Sequence, residues 1–191
     1  MQGMIVAPQP DAVEVGAQVL ATGGNAFDAA LACAFAQGVI DPHSCGVGGY
    51  MLMTSRTAGT TAAQPILDAP ALAGSKTRPQ MWEDIVIGPN PGGWGFFLKD
   101  RVNEDGYTSI CTPGVIRGFE AIHSRWCTKP WADLIAPAIE LASEGWTVSS
   151  HQAARWREDA AYYEGAPLRD KLRVTGEAAR IYLSEGGATP A

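Results

Sequence analysis

The sequence predicts an α+β fold in which helices layer against a mostly antiparallel sheet, and three observations carry that expectation. Two consecutive helical patterns open the chain, and the second is small and apolar on every side. Two short apolar segments on either side of a turn signal then read as a hairpin. Beyond about residue 112, prolines, glycines and serines punctuate the sequence into helix-length pieces. Helices with one apolar stripe and a hairpin with one apolar face bury both by packing in layers.

Taken in order, Met4–Ala7 reads as a short strand ended by Pro8 and Pro10. From Asp11 the apolar residues Val13, Ala17 and Leu20, with Val15 and Val19, fit one helical face to about Ala21. Gly23-Gly24 stops that helix, and Asn25 caps the next, with Asp28 placed where a carboxylate favours a helix start. The run Ala26 to Val39 is apolar all round, so it must be buried on all sides. A turn-rich loop, Asp41 to Gly49, leads into an apolar strand over Tyr50–Thr54. Gly59-Thr60 marks the turn to a second strand near Pro65–Asp68.

From Ala69 to about Tyr107 periodicity is lost among prolines, glycines, Trp82, Trp94, Phe96 and Phe97. A stretch this long wraps a surface or contributes to a site. Tyr107–Ile110 reads as a strand ending at Thr112-Pro113-Gly114. A helix over Val115–Trp126 then sets Phe119, Ile122 and Trp126 on one side. Another starts at Pro130, a good first helical residue, and carries Leu134, Ala138, Leu141 and Ala142 before Gly145. Ser149 caps a helix through Tyr162, and a short one runs from Glu177 to Leu183 before Gly186-Gly187.

Composition narrows the function. A chain of 191 residues holds one domain or one part of a larger one. With 46% hydrophobic and 18% charged residues it suits a well-buried layered structure or a subunit with a large partner interface. Its net charge of −6 is spread without long runs, which argues against nucleic-acid binding. No apolar run approaches the roughly 20 residues of a membrane span. Met1-Gln2-Gly3 offers no basic leader region, so a cytoplasmic location is favoured, with the periplasm or exterior open if a leader was removed. The four cysteines (Cys33, Cys45, Cys111, Cys127) show neither a CxxC pair nor zinc spacing, and read as reduced, buried thiols.

Few residues invite chemistry. The glycines Gly46, Gly48 and Gly49 run from helix into strand, opposite to a phosphate loop, and read as a tight turn. His43, Ser44 and Cys45 sit too close along the chain to align for proton transfer, and no third group orients them. His123 and His151 fall on separate helices. The carboxylates Asp11/Glu14 and Asp100/Glu104/Asp105 look like helix-start and loop charges, without the apolar surroundings of an acid–base pair. Trp94, Phe96 and Phe97 line a pocket or, more simply, pack in a core. Chemistry alone marks no active site.

Order and spacing of motifs say more. Gly3-Met4-Ile5-Val6-Ala7-Pro8, then Gly23-Gly24-Asn25-Ala26-Phe27-Asp28-Ala29-Ala30, then Asp41 through Tyr50 follow one another. Thr112-Pro113-Gly114-Val115 with Gly118, and Pro130 through Ala142 followed by Glu144-Gly145-Trp146, come next. Together these resemble the γ-glutamyltranspeptidase family of N-terminal-nucleophile hydrolases, over nearly the whole chain. The resemblance implies a four-layer αββα sandwich in which residues 1–191 form the N-terminal part of the large (α) subunit, a single domain completed by a partner chain. It implies a precursor that cuts itself, so that the new N-terminal threonine of the small (β) subunit becomes the nucleophile with its own amine as base. No metal or organic cofactor is then needed, and this chain carries no catalytic residue. The implied partners are that small subunit and a small-molecule amide substrate, with no nucleic acid or membrane, and a higher oligomer left open.

Two departures qualify the resemblance. The family carries an Arg-Glu-Thr-Ala-Pro-like segment after the hairpin, whose arginine grips the α-carboxylate of the γ-glutamyl group. Here the region reads Leu67-Asp68-Ala69-Pro70-Ala71-Leu72-Ala73-Gly74, with Leu72 near the arginine's place. Leucine cannot make a bidentate carboxylate contact, and Arg78 would have to reach in from farther along. The substrate-binding candidates are therefore Asp68, Leu72 and Arg78, and the reading favours an amidase or acylase of a non-γ-glutamyl amide. A genuine γ-glutamyl transferase or hydrolase using another cation is the enzyme alternative, and a catalytically silent binding or assembly subunit the other. The family's large subunit also continues past the point matching Ala191, which implies extra cleavage of the precursor or a fragment.

Overall fold

The computed structural model describes residues 3–59, 66–90, 95–157 and 168–183. The chain divides into two compact units, Met1–Gly74 with Cys111–Trp146, and Ser75–Ile110 with Thr147–Ala191.

The described residues of the first unit form four helices and a hairpin: α1 (Pro10–Ala21), α2 (Ala26–Ile40), β1 (Met51–Thr54), β2 (Ile66–Ala69), α3 (Val115–Trp126) and α4 (Trp131–Glu144). Proline at its start and Gly23 in the left-handed region (φ 87°) at its end bound α1. The Gly24 N–H closes the turn on the Val19 carbonyl at 2.9 Å. α2 opens with a reciprocal cap: Asn25 Oδ1 accepts from the N–H groups of Phe27 and Asp28, while Asp28 Oδ2 accepts from the Asn25 N–H.

As its composition demands, α2 is the central element. Ala29, Leu31, Ala32, Cys33, Phe35, Ala36 and Ile40 are all buried. Val19, Leu31, Phe35, Leu134 and Ala138 share one cluster with it, and Phe35 meets Phe119 and Trp131 edge-on, ring centroids 5.1 Å apart in each case. Small residues set the spacing. A Cβ on Gly16 of α1 would clash with Ile5 and stand 3.1 Å from the Ala29 carbonyl oxygen.

Asp28 reaches beyond its own helix. Its carboxylate accepts from the Thr128 N–H at 2.9 Å, the Thr128 hydroxyl at 2.7 Å and the Lys129 N–H at 3.1 Å, in the turn between α3 and α4. Asn25 Nδ2 donates to the Trp126 carbonyl, and Phe27 stacks on the Trp126 ring. Burial pushes the Asp28 carboxyl up, but the Thr128 hydroxyl and the three backbone N–H groups outweigh it and hold it below 3.8.

β1 and β2 pair antiparallel, with Met51 opposite Ala69 and Thr54 opposite Ile66. One face buries Leu67 and Ala69 against Ile122 of α3, and the other leaves Leu52 and Ile66 exposed.

In the second unit β3 (Val86–Pro89) pairs antiparallel with β4 (Phe96–Leu98), with an irregularity between Val86 and Gly88. Three short helices follow among the described residues: α5 (Ser150–Arg157), α6 (Leu168–Leu172) and α7 (Gly176–Tyr182). Ser149 caps α5 as expected, exchanging hydrogen bonds with Gln152. Trp156 is buried and meets Tyr182 edge-on.

The α+β class holds, with differences in detail. Met4–Ala7 forms no strand among the described residues, and Ile5 instead packs on the α1–α2 core. Tyr107–Ser109 is a 3₁₀ turn, entered through Gly106 at φ 80°, in place of the expected strand. The segment without periodicity contains the β3–β4 hairpin, whose strands are too short to show alternation. Pro130 is the residue before α4, one position earlier than its first helical residue. Thr60, Pro65, Trp94, Tyr162 and Gly186-Gly187 lie outside the described residues. No helix of the described residues is long and apolar enough to cross a membrane.

The Asp28 network yields a prediction. Asp28→Ala leaves three backbone N–H groups without their acceptor and is expected to cost about 3 kcal/mol or more, read as a lower denaturant midpoint at unchanged m-value. Because the folded pKa lies below the unfolded one, the carboxylate's contribution is complete above 3.8 and is lost as pH falls below it toward the folded value. The wild type should therefore lose stability on acidification through that window, and the Asp28→Ala variant should lose less.

Candidate functional site

Three segments of the first unit are fastened together where the hairpin ends. Leu72 and Thr112 form an antiparallel bridge: the Leu72 N–H donates to the Thr112 carbonyl at 2.9 Å and the reverse bond is 2.7 Å. The next residues turn into α3, and the N–H groups of Gly114 and Val115 both donate to the Gly49 carbonyl, at 3.1 and 3.2 Å. Glycine is required at 114, since a Cβ there would stand 2.7 Å from the Ala69 carbonyl oxygen and closer still to that of Pro70. At Gly118, one turn on, a Cβ would lie 2.5 Å from Met51 Sδ and 2.8 Å from Ala69 Cβ. The junction thus depends on backbones touching.

Residues of this junction line two pockets. One, of about 490 Å³, is lined by Asp68, Leu72, Thr112, Arg117, Ala121 and Arg125, among others. Two of the three residues singled out from sequence therefore share a pocket. Asp68 projects from β2 opposite Leu52, and Leu72 is 60% exposed just beyond the strand. Arg78 belongs to the second unit, where it is exposed and its carbonyl accepts from the Met81 N–H at 3.1 Å.

Sequence reasoning missed Arg117 and Arg125. They stand eight residues apart on one face of α3 with Ala121 between them, and that i, i+4, i+8 spacing was the signal available. Arg117 pairs with Glu120 at 3.1 Å on the surface, and the Arg125 guanidinium lies 5.8 Å from the Trp126 ring centroid.

The other pocket, about 810 Å³, is lined by Gln37, His43, Ser44, Cys45, Gly46 and Tyr50, among others. Here His43 Nδ1 lies 3.1 Å from Asp41 Oδ1, and Asp41 Oδ2 accepts from Gln37 Nε2 at 3.0 Å. Cys45 is exposed as a residue, yet partial burial of its sulfur and the Asp41 charge push the thiol up, away from the thiolate a nucleophile needs. Cys127 is pushed up to about 12 by burial, then by the charge of Asp28 and a hydrogen bond to it. All four cysteines are free thiols. His123 Nε2 contacts the Lys129 carbonyl at 2.9 Å, so it ties α3 to the turn after it. The charges at Glu104 and Asp105 are held by Arg101, at 2.6 and 2.8 Å, in keeping with a loop role. Among the described residues no group of three His, Cys, Asp or Glu side chains stands close enough to hold a metal ion.

An α+β chain with a helix-backed hairpin, a glycine-turned junction and a substrate-sized pocket at the hairpin exit defines the class. Residues 12–191 match the γ-glutamyltranspeptidase family, and the chain belongs to it. It is 34% identical over 151 residues to the glutathione hydrolase proenzyme of Bacillus subtilis (strain 168), covering 78% of this chain and 24% of that protein. It is equally 34% identical over 152 residues to the acylase ACY 1 proenzyme of Pseudomonas sp. (strain SE83), covering 78% and 26%. The crystal structure of Helicobacter pylori γ-glutamyltranspeptidase shares its fold with a TM-score of 0.79 at 28% identity, over 98% of this chain and 48% of that one. The chain therefore spans about a quarter of the length of these curated relatives.

Gly114→Ala tests the junction. The added methyl would overlap the backbone carbonyl groups of Ala69 and Pro70, which cannot swing aside, so the substitution is expected to destabilise by about 2 kcal/mol or more. Hydrogen exchange at Leu72, Thr112 and Val115 should accelerate together in the variant, while that of α1 should change less.

Proposed function

We propose that this chain is the front part of the large subunit of a self-processing amidohydrolase or acylase, which hydrolyses a C–N amide bond with an N-terminal threonine supplied by a small subunit. The observation that carries the reading is the family match over residues 12–191, joined to a pocket at the hairpin exit in which Leu72 is exposed. The chain's part is to supply helices, the hairpin and one wall of the substrate site. Asp68 and Leu72 form that wall. The thiols of Cys45 and Cys127, pushed up by burial and a neighbouring aspartate, take no part. The rest of the four-layer αββα sandwich comes from the remainder of the assembly.

In such an enzyme the threonine hydroxyl adds to the amide carbonyl as its α-amine takes the proton. The amine product leaves with a proton, and water then releases the acid. Leu72 gives the acyl group an apolar contact where a guanidinium would otherwise grip a carboxylate. Relatives named both as a glutathione hydrolase and as an acylase fit either acyl specificity.

A second reading is favoured by Arg117 and Arg125, which line the same pocket as Asp68 and Leu72. With these cations on the substrate, the enzyme would be a γ-glutamyl transferase or hydrolase after all.

N-terminal sequencing and intact mass of every chain of the purified protein come first. A second chain from the same precursor, beginning with threonine, is expected; its absence would leave a silent binding or assembly subunit. Turnover of a γ-glutamyl anilide against simple acyl amides then separates the two enzyme readings. If the wall is as proposed, Leu72→Arg should raise kcat/KM for the γ-glutamyl anilide by about tenfold or more, the worth of one charge-assisted hydrogen-bond pair. On the second reading Arg125→Ala should abolish most γ-glutamyl turnover, whereas Leu72→Arg should do little.

A further inference from the structure

We infer that Met4–Ala7 is the docking site for a β-strand supplied by the same polypeptide beyond residue 191. From the reading above this takes only that the chain is the front of a longer protein. The segment is already seated as a strand on its inner side. Exposure alternates along it: Met4 is 89% and Val6 82% exposed and Pro8 is exposed, whereas Ile5 and Ala7 are half-buried and Gln9 is buried. That period of two belongs to β-structure, and the backbone is extended at Gln9, with φ −110° and ψ 129°. Ile5 packs on both core clusters around α2. Gly16 of α1 makes room for it, because a Cβ there would overlap Ile5 Cδ1. The segment is therefore held in place and is not a loose end.

On the outer side nothing among the described residues completes it. No N–H or carbonyl of Met4, Ile5, Val6 or Ala7 takes part in a hydrogen bond there, so the backbone is open along both edges. Residues 3–9 read Gly-Met-Ile-Val-Ala-Pro-Gln and carry no charge. An edge that stays in water is ordinarily guarded by lysine or another charge, and Met4 and Val6 offer the opposite. Open backbone groups between large apolar side chains are completed by another strand, which pairs with both. A helix does not complete them, because its own N–H and carbonyl groups are already used. The same polypeptide has the length to supply the strand. In the curated relatives about three-quarters of the protein lies outside the matched stretch, and in the Helicobacter pylori structure about half of that chain does. A segment of the same molecule is also present at a far higher effective concentration than a second copy drawn from solution. The occupant is thus an uncharged, apolar strand of this protein itself.

Two measurements on the full-length protein test this, and neither needs turnover. Amide hydrogen exchange of the unaltered protein comes first: residues 4–7 should exchange about a hundredfold or more slowly than an unstructured peptide, as paired strands do. The neighbour is then identified by placing the photo-reactive residue p-benzoylphenylalanine at position 6 and, in a second variant, at position 4. Both should cross-link to one peptide from beyond residue 191, and in a mixture of isotopically heavy and light protein every link should stay within one label. Exchange at unstructured rates overturns the inference, whatever the variants do. So do links confined to residues 1–191, links between heavy and light molecules, links to a foreign protein, or no link from either position. A protein with no threonine-headed chain and no amide turnover would still give the expected pair of results, so failure of the activity proposed above is told apart from failure of this inference.

Discussion

The buried carboxylate of Asp28 organises the first unit. Asp28 begins α2, and a charge placed there without partners would oppose folding, because burial penalises the ionised form. It has partners on two sides of the chain: the Asn25 N–H, and the Thr128 and Lys129 N–H groups with the Thr128 hydroxyl, a hundred residues away. Those bonds require the turn between α3 and α4 to sit at the start of α2. They also fix Trp126 against Phe27 and set the angle at which α3 leaves for the hairpin. The cap of one helix is thereby the joint of three.

From that joint the pocket follows by packing. α2 is narrow because it is built of alanine, so α1 and α4 approach it closely and Phe35 fills the gap against Phe119 and Trp131. Phe119 and Ile122 of α3 then meet the hairpin's buried face, and Gly118 lets the helix rest against Met51 and Ala69. Gly114 permits the backbone contacts that bring residues 49, 72 and 112–115 together. Asp68, Leu72, Arg117 and Arg125 share one pocket because of these contacts, although they come from two segments far apart along the chain.

Local chemistry made most of the helices legible beforehand. Capping residues, proline and glycine act within a turn of the chain, so Asn25, Gly23, Gly145 and Ser149 mark their boundaries with no knowledge of the rest. The strands were read less well. Met4–Ala7 and Tyr107–Ile110 have strand composition but no strand partner among the described residues, and β-structure exists only where a neighbour completes the ladder. β3 and β4 escaped notice for the opposite reason: four and three residues hold too few alternations to be seen, and pairing alone defines them.

The sequence by itself determined the order of the helices except α6, which it did not signal, the cap of α2 at Asn25 and Asp28, the first hairpin, and membership of the family through motifs kept in order. Each of these depends on residues near one another along the chain or on spacing that the chain records directly. Only the tertiary structure decided that Asp28 bonds to Thr128 and Lys129 and that Arg117 and Arg125 join Asp68 and Leu72. Those are encounters between segments whose distance in space is set by packing, and side-chain identity alone carries no measure of it.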